Sequence, residues 1–314
     1  MLLLGGRVAI AGAFAFLAAQ ACGSDEATPA TPIASDGGDP GQPSSGDGST
    51  ACKSNCESAD AQPPSGDCTA AMVSAAPFAG GDGSPSSPFQ ICSVAQWLRI
   101  NDGLAKSYVL LTDLDFVANP VEGESLEEVR VGHQNGFSGT LDGKGHTIKN
   151  LRITGAVSMP QGLFTQISAS GDVRNIGITD AVVTSTYADA GILAGRLTGK
   201  ATNVHVTGKV KGTSQVGGLA GSVDGTVEGA SSVADVEGTD SVGGLVGYFG
   251  GVALRRSSSA GVVKGTGTSI QNNGPATGGL VGTHRGGPIQ DVFDRDRHRT
   301  HGGRRARRVD VRGR

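Results

Sequence analysis

The chain has 314 residues, of which 52 are glycine and 4% are aromatic, and its formal net charge is −3. This glycine content is too high for a conventional globular domain, and the lack of a strict third-position glycine excludes a collagen triple helix. The shortage of aromatic side chains indicates a thin core without room for large rings.

Residues 1–21 have the pattern of a secretory signal peptide. Arg7 is their only charged residue, and Val8 to Ala19 is an apolar stretch too short to span a bilayer. Two cleavage patterns fit. Ala21-Cys22 is similar to the end of a bacterial lipoprotein signal, with Cys22 as the lipid attachment site, whereas Ala19-Gln20-Ala21 satisfies the small-x-small rule of ordinary secretion. We favour lipid attachment, because a cysteine followed by a polar tether is otherwise an unusual choice.

Residues 22–64 predict a lipid-anchored stalk. Beyond Cys22 they are mainly Ser, Gly, Asp, Pro and Thr, with almost no large apolar side chains. Such a segment cannot bury enough apolar surface to fold, and it is therefore expected to be disordered and to hold the following domain away from the membrane.

Four cysteines remain besides Cys22, namely Cys52, Cys56, Cys68 and Cys92. An even number in an exported chain predicts two disulfides, for which three connectivities exist. A zinc site is the weaker alternative, because Cys52 and Cys56 have acceptable spacing but the other two form no second close pair. A bridge from the Cys52–Cys68 segment to Cys92 would fasten the end of the stalk to an N-terminal cap, which we place at residues 65–105.

Within that cap, residues 93–100 predict a short amphipathic helix. Ser93 is a favourable N-cap, and the apolar residues after it recur at helical spacing. Such a helix would cover unpaired strand edges at the open end of the fold, with Trp97 as a core residue rather than a platform for a ligand. The following segments predict strands: 108–116, a strand pair around the Asp142-Gly143 turn within 137–148, and 148–153.

A short glycine-rich phrase recurs five times in the second half of the chain. The copies are Gly162-Leu163-Phe164, Gly191-Ile192-Leu193-Ala194-Gly195, Gly217-Gly218-Leu219-Ala220-Gly221, Gly243-Gly244-Leu245-Val246-Gly247 and Gly278-Gly279-Leu280-Val281-Gly282. Their leucines lie 30, 26, 26 and 35 residues apart, which is typical of a solenoid of stacked units. Each period holds three short apolar stretches, and the glycines between them suit turns with positive φ.

This pattern predicts an all-β fold, a right-handed parallel β-helix over residues 106–293. No window shows a sustained helical period, and each strand is expected to pair with its equivalent one coil along. The repeated apolar side chains would then stack into ladders that fill the interior. The predicted core ladder residues are Leu163, Leu193, Leu219, Leu245, Leu280, Val210, Val236 and Val263.

Several of these phrases together resemble the GLUG-motif repeat proteins. The resemblance covers about residues 78–293 and is carried by Pro88-Phe89-Gln90-Ile91, Leu111-Thr112-Asp113-Leu114-Asp115, the segment from Gly139 to Ile148 and the Gly-Gly-Leu-Val-Gly repeats. It implies a bacterial surface or secreted β-helix protein, as many members are described as adhesins. In some members the repeats belong to larger chains such as IgA-specific metallopeptidases. The family has no shared catalytic residues, so the resemblance assigns none here.

Motifs for catalysis are scarce. His-Glu-x-x-His, Gly-x-Ser-x-Gly, a phosphate-binding loop and a dinucleotide fingerprint are all missing from the sequence. Since many β-helices cleave polysaccharides with clustered acids, the aspartates at 113, 115, 142, 172 and 180 are candidates for glycoside cleavage or calcium binding. The simpler interpretation is that Asp113, Asp115 and Asp142 cap turns. His146 belongs to the turn motif, and His133 and His205 are isolated.

The repeat pattern stops after Phe293, and residues 294–314 form an arginine-rich tail. Residues 285–314 hold ten Arg and four Asp, a balance of +6, so the rest of the chain carries −9 to reach the total of −3. Three interpretations stay open: a frameshifted or truncated reading of a GC-rich gene, a genuine tail that binds a polyanion, and an unstructured tail without function.

The expected protein is therefore a lipid-anchored surface or periplasmic protein with a non-enzymatic, adhesin-like β-helix. Its expected partners are the membrane, through the lipid, and a glycan, matrix or neighbouring cell surface. We expect a monomer without a cofactor, a metal or a nucleic-acid partner. The alternatives are a polysaccharide hydrolase or lyase, and the repeat fragment of a larger secreted peptidase.

Overall fold

The computed structural model describes residues 67–117, 129–132, 135–155, 159–267, 276–290 and 292–294. These residues belong to a compact unit, Glu57–Arg314, whereas a second unit, Met1–Cys56, lies outside the described residues. The predicted signal peptide, Cys22, the stalk to residue 64, Cys52, Cys56, His133 and all of the tail beyond residue 294 also lie outside them.

The described residues form two short α-helices, one 3-10 turn (Arg99–Asp102) and many short strands. The helices are α1 (Ala70–Ser74) and α2 (Val94–Leu98). The strands are β1 (Phe89–Ile91), β2 (Ser107–Leu110), β3 (Leu114–Asp115), β4 (Thr140–Asp142), β5 (Thr147–Lys149), β6 (Arg152–Gly155), β7 (Phe164–Ile167), β8 (Asp172–Ser185), β9 (Ala194–Leu197), β10 (Lys200–Lys211), β11 (Ser214–Gly217), β12 (Ala220–Val223), β13 (Thr226–Glu228), β14 (Ser231–Gly238), β15 (Asp240–Gly243), β16 (Val246–Phe249), β17 (Ala253–Arg255), β18 (Ser258–Ala260), β19 (Val263–Gly265), β20 (Thr277–Gly278), β21 (Val281–His284), β22 (Ile289–Gln290) and β23 (Phe293–Asp294).

These strands build a parallel β-solenoid, which confirms the predicted fold class. Every pairing between the labelled strands is parallel. They form three sheets, which we call the broad sheet (15 strands), the narrow sheet (β7, β9, β12, β16 and β21) and the corner sheet (β11, β15 and β20). A full coil passes once through each sheet, so residues about one repeat apart become neighbours.

Apolar ladders fill the interior in the way that the repeat spacing predicts. In the broad sheet, Val210 pairs with Val236, and Val236 pairs with Val263. The motif leucines are joined from coil to coil by backbone hydrogen bonds, of which Leu219 N to Leu245 O is one at 2.8 Å. Leu163, Leu193, Leu219, Leu245, Val210 and Val236 are buried, whereas Leu280 and Val263 are only partly buried. Val263 is partly buried because, among the described strands, β19 pairs with β14 alone.

The predicted helix begins where its N-cap places it. The Ser93 hydroxyl accepts a hydrogen bond from the Gln96 backbone N–H at 3.4 Å. Trp97 is wholly buried, as predicted, and its indole N–H donates to the Val129 carbonyl at 2.9 Å. A disulfide between Cys68 and Cys92 joins the segment before α1 to the residue preceding this N-cap. None of the helices in the described residues is long and apolar enough to cross a membrane.

Two details differ from the sequence-based expectation. The segment around Asp142-Gly143 is not a hairpin, because β4 pairs with β2 and β8 whereas β5 pairs with β3 and β8. The chain turns a corner there and continues in the same direction around the coil, with Lys144 at φ 54° and Gly145 at φ 87°. The corner sheet is an additional element. The three apolar stretches that the sequence predicts in each repeat do not include its strands β11, β15 and β20.

The glycines of the repeated phrase have a different role from the turn glycines predicted between the apolar stretches. None of them has a positive φ, so a turn conformation is not the reason for glycine. A Cβ added at Gly217 would lie 2.1 Å from the Ala220 carbonyl oxygen, and one at Gly244 would lie 2.1 Å from the Gly279 carbonyl oxygen. Close approach of backbone to backbone, within a coil and between coils, therefore requires these glycines.

Candidate functional site

The aspartates that are candidates for catalysis are engaged in contacts that hold neighbouring coils together. Asp113 accepts a hydrogen bond from the Thr147 backbone N–H at 2.9 Å, and Lys149 Nζ lies 3.2 Å from its other oxygen. Asp115 accepts from the Val117 backbone N–H at 2.9 Å and from the Asn150 side-chain amide at 3.0 Å. These contacts match the turn-capping interpretation.

Asp142 is the most heavily engaged of the candidates. It accepts from the Lys144 backbone N–H at 2.9 Å, the Asn175 amide at 3.1 Å and Arg174 Nε at 3.0 Å. Arg174 also donates to Asp172 at 3.0 Å, so one guanidinium serves two carboxylates. Burial raises the pKa of Asp142, but these hydrogen bonds outweigh it and lower the pKa below the ordinary value. A general acid for glycoside cleavage needs a raised pKa instead.

The network around Asp142 leads to a pH-dependent prediction. Because its pKa is lowered in the folded state, ionised Asp142 stabilises the fold above the ordinary pKa of 3.8, and this contribution is lost as the pH falls below that value. We expect Asp142→Asn to lower the free energy of unfolding by about 1 kcal/mol at neutral pH. In thermal denaturation, the gap to the wild type should close in strongly acidic buffer. Equal stability at neutral pH would show that the Asp142 charge contributes nothing.

Among the described residues, His146, His205 and Asp180 each contact a different partner. His146 is buried and its Nδ1 lies 3.5 Å from Asp113 Oδ1, whereas His205 is exposed with its Nδ1 2.8 Å from the Ser231 hydroxyl. Asp180 is exposed, and its backbone N–H donates to the Thr207 hydroxyl at 3.2 Å. Within the described ranges, no group of three or more His, Cys, Asp or Glu residues could hold a metal ion.

The outer face of the broad sheet is a regular polar surface. Alternate residues point away from the core, so the ladder places equivalent side chains about 4.8 Å apart along the solenoid. One outward row in strand register is Thr154–Thr184–Lys211–Glu237–Lys264. Two shorter rows, Lys149–Thr179 and Thr207–Val233–Ala260, lie on either side of a register shift between Val206 and Gly208. Glu237 lies 3.0 Å from Lys211 Nζ and 3.1 Å from Lys264 Nζ, which links three successive coils through one carboxylate.

A second polar surface follows the line where the narrow and corner sheets meet, and we call it the polar seam. Its corner-sheet side is the row Asp189, Gln215 and Ser241, all with positive φ. Its narrow-sheet side is the outward row Arg196, Ser222, Tyr248 and Thr283. Two contacts join the sides: Arg196 donates to Asp189 at 2.8 Å, and the Ser241 and Thr283 hydroxyls lie 2.9 Å apart.

Asp189 is a buried carboxyl of the seam. Its side chain is only 2% exposed, and burial raises its pKa although the ion pair with Arg196 opposes this shift. Sequence reasoning did not single out Asp189. The available signal was a polar residue two positions before the first glycine of successive repeat phrases, at Asp189, Gln215 and Ser241.

Segments of this chain are similar to segments of much longer known proteins. No known protein-family model matches the chain. It is 36% identical over 147 residues to Halomucin from Haloquadratum walsbyi. This match covers 44% of this chain and 2% of that protein. It is 32% identical over 124 residues to a candidate Gly-rich membrane protein from Evansella cellulosilytica. This second match covers 39% of this chain and 14% of that protein. The chain thus spans a small part of the length of these relatives.

The fold also resembles a solved structure. A crystal structure of a candidate immunoglobulin A1 protease from Bacteroides ovatus superposes with a TM-score of 0.55 and 24% sequence identity. The match covers 69% of this chain and 68% of that chain. At this level of identity the likeness shows a shared fold and carries no statement about activity.

Proposed function

We propose that this chain is an exported surface protein of the GLUG-repeat type, whose solenoid binds a polysaccharide on a neighbouring surface without cleaving it. The outer face of the broad sheet is the observation that carries the proposal. Its hydroxyl and charged side chains recur at the spacing of the coils, and a polysaccharide likewise repeats its hydroxyl groups along an extended chain. A repetitive surface suits a repetitive ligand, because several weak contacts then act together.

Two further observations support a binding role. The candidate catalytic aspartates Asp113, Asp115 and Asp142 are held by backbone and side-chain donors, and the pKa of Asp142 is lowered rather than raised. The membrane protein among the relatives supports a location at the cell surface. Lipid attachment at Cys22 stays a prediction, as do a monomeric state and the lack of a nucleic-acid partner.

Affinity electrophoresis of the full chain tests the proposal, in gels containing dextran, hydroxyethyl cellulose or alginate. We expect one of these polymers to slow the wild type. The double variant Thr179→Glu/Thr184→Glu should weaken this retardation about tenfold, because it adds bulk and charge to the broad face. The control is Thr277→Glu, which changes an exposed threonine in the corner sheet and should behave as the wild type.

A parallel assay for new reducing ends and unsaturated products separates binding from turnover. The binding function predicts none with any retained polymer. Product formation that is lost in Asp113→Asn would favour the hydrolase or lyase. If none of the polymers slows the wild type, or if the double variant binds as well as the control, the broad face is not the polysaccharide-binding surface.

A further inference from the structure

One level of the polar seam contains two buried oxygens without hydrogen-bond partners. Asp189 uses Oδ2 for its ion pair with Arg196, but Asp189 Oδ1 and Ser222 Oγ have no hydrogen-bond partner among the residues that the structure describes. Both residues are almost completely buried, at 1% and 3% exposure. A buried polar group without a partner destabilises the folded state. Such groups call for an explanation, and a bound molecule is one.

The Gly221-Ser222 pair of residues lies beside Asp189 at this level of the seam. A Cβ added at Gly221, the residue before Ser222, would lie 2.5 Å from Asp189 Cα. Two coils further along, Gly282 has the same relation to Ser241, and there Thr283 and Ser241 hydrogen-bond directly at 2.9 Å. The equivalent direct bond is missing between Asp189 and Ser222, although both have polar oxygens available.

The surroundings of this pair indicate the chemistry of its ligand. The Arg196 side chain covers Asp189 and is 46% exposed, so it can move aside by a surface rotamer change. Tyr248 follows Ser222 in the same outward row, and the Asp224 carboxylate lies close to it. A Cβ added at Gly250 would be 2.9 Å from Asp224 Oδ1 and 3.3 Å from the Tyr248 hydroxyl.

This set of groups matches a sugar ring. Carboxylate oxygens accept hydrogen bonds from adjacent sugar hydroxyls, the guanidinium donates to them, and an aromatic ring packs against the apolar face of a pyranose. Two carboxylates and one guanidinium give the cluster an excess of negative charge, which disfavours uronic acids and sulfated sugars.

We propose that Asp189, Ser222 and Arg196, flanked by Tyr248 and Asp224, form a subsite for one neutral hexose unit of a polysaccharide. The ligand class rests on the proposed function, but the surface is separate from the broad face. Binding would require Arg196 to swing outward, after which Asp189 Oδ1 accepts a hydrogen bond from one sugar hydroxyl and the Ser222 hydroxyl donates to or accepts from another.

Calorimetric titration of the full chain with cellohexaose, maltohexaose and mannohexaose tests the subsite, with hexagalacturonic acid as the anionic counterpart. We expect one neutral hexasaccharide to bind. Asp189→Asn and Ser222→Ala should each weaken it about tenfold or more, because the first replaces a charged acceptor with a neutral one and the second removes a hydrogen bond to the sugar. Ser241→Ala is the matched control, because the Ser241 hydroxyl already hydrogen-bonds to Thr283 across the seam.

The outcomes separate this inference from the proposed function. Loss of hexasaccharide binding in Ser222→Ala, with normal binding in Thr179→Glu/Thr184→Glu, would support the subsite even if the broad face proved inert. The reverse result would overturn the subsite and leave the broad face as the binding surface. Preferential binding of hexagalacturonic acid, or wild-type affinity in both Asp189→Asn and Ser222→Ala, would also overturn it. Thermal denaturation of each variant shows whether a lost signal reflects unfolding.

Discussion

Leu219→Ala is expected to lower the free energy of unfolding by about 2–5 kcal/mol, the range for truncating a fully buried leucine. Leu219 is wholly buried in the leucine ladder, and the backbone joins it to Leu193 on one side and Leu245 on the other. The cavity would open between two coils, each of which has only its neighbours to pack against. Urea denaturation followed by circular dichroism measures the loss.

Leu280→Ala is the matched control for this substitution. Leu280 has the same place in the repeated phrase, but it is only partly buried. Its truncation should therefore cost clearly less than the truncation of Leu219. Equal losses at both positions would show that burial in the ladder does not determine how much each motif leucine stabilises the fold.

The solenoid and its apolar ladders could be predicted from sequence because the repeated phrase recurs at similar intervals along the chain. Val210, Val236 and Val263 recur at nearly constant spacing, and strand register places them side by side. Ser93 could likewise be predicted as an N-cap from its neighbours in sequence, and it has that role in the structure. Features that depend on spacing or on residues next to each other in sequence are accessible in this way.

The features that escaped prediction depend on contacts between coils. Asp142-Gly143 looks locally like a hairpin turn, but the strands on either side of it find their partners one coil away. Asp189 is an ordinary aspartate in sequence, and only the fold brings Arg196 and Ser222 to it. A single chain shows the period of a solenoid but not which residues on its outside meet across a seam.

Glycine illustrates the same limit, because two different physical causes leave the same letter in the sequence. A glycine is required where φ is positive, as at Gly145, and equally where another backbone lies too close for a Cβ, as at Gly217. The sequence pattern predicts the first cause for the glycines between the apolar stretches. For the glycines of the repeated phrase, the structure assigns the second.

Gly217→Ala is therefore expected to destabilise the protein strongly, by about 3 kcal/mol, at the upper end of the range for overpacking. The new methyl group would lie 2.1 Å from the Ala220 carbonyl oxygen, 2.7 Å from the Gly247 nitrogen and 2.8 Å from the Leu245 carbonyl oxygen. All three atoms belong to the backbone, so no side chain can rotate to make room. The narrow and corner sheets would have to separate locally, which exposes the leucine ladder.

Gly177→Ala separates this steric effect from the general effect of replacing a strand glycine. Its Cβ would lie 2.9 Å from the Thr147 hydroxyl, which can rotate away, and Gly177 has no positive φ. We expect a change within about 1 kcal/mol, because the lost flexibility of glycine partly offsets the contact. Urea denaturation of both variants should show a large loss for Gly217→Ala alone. Similar curves would mean that the coils yield easily at the motif glycines, and close backbone approach would then not explain the repeated phrase.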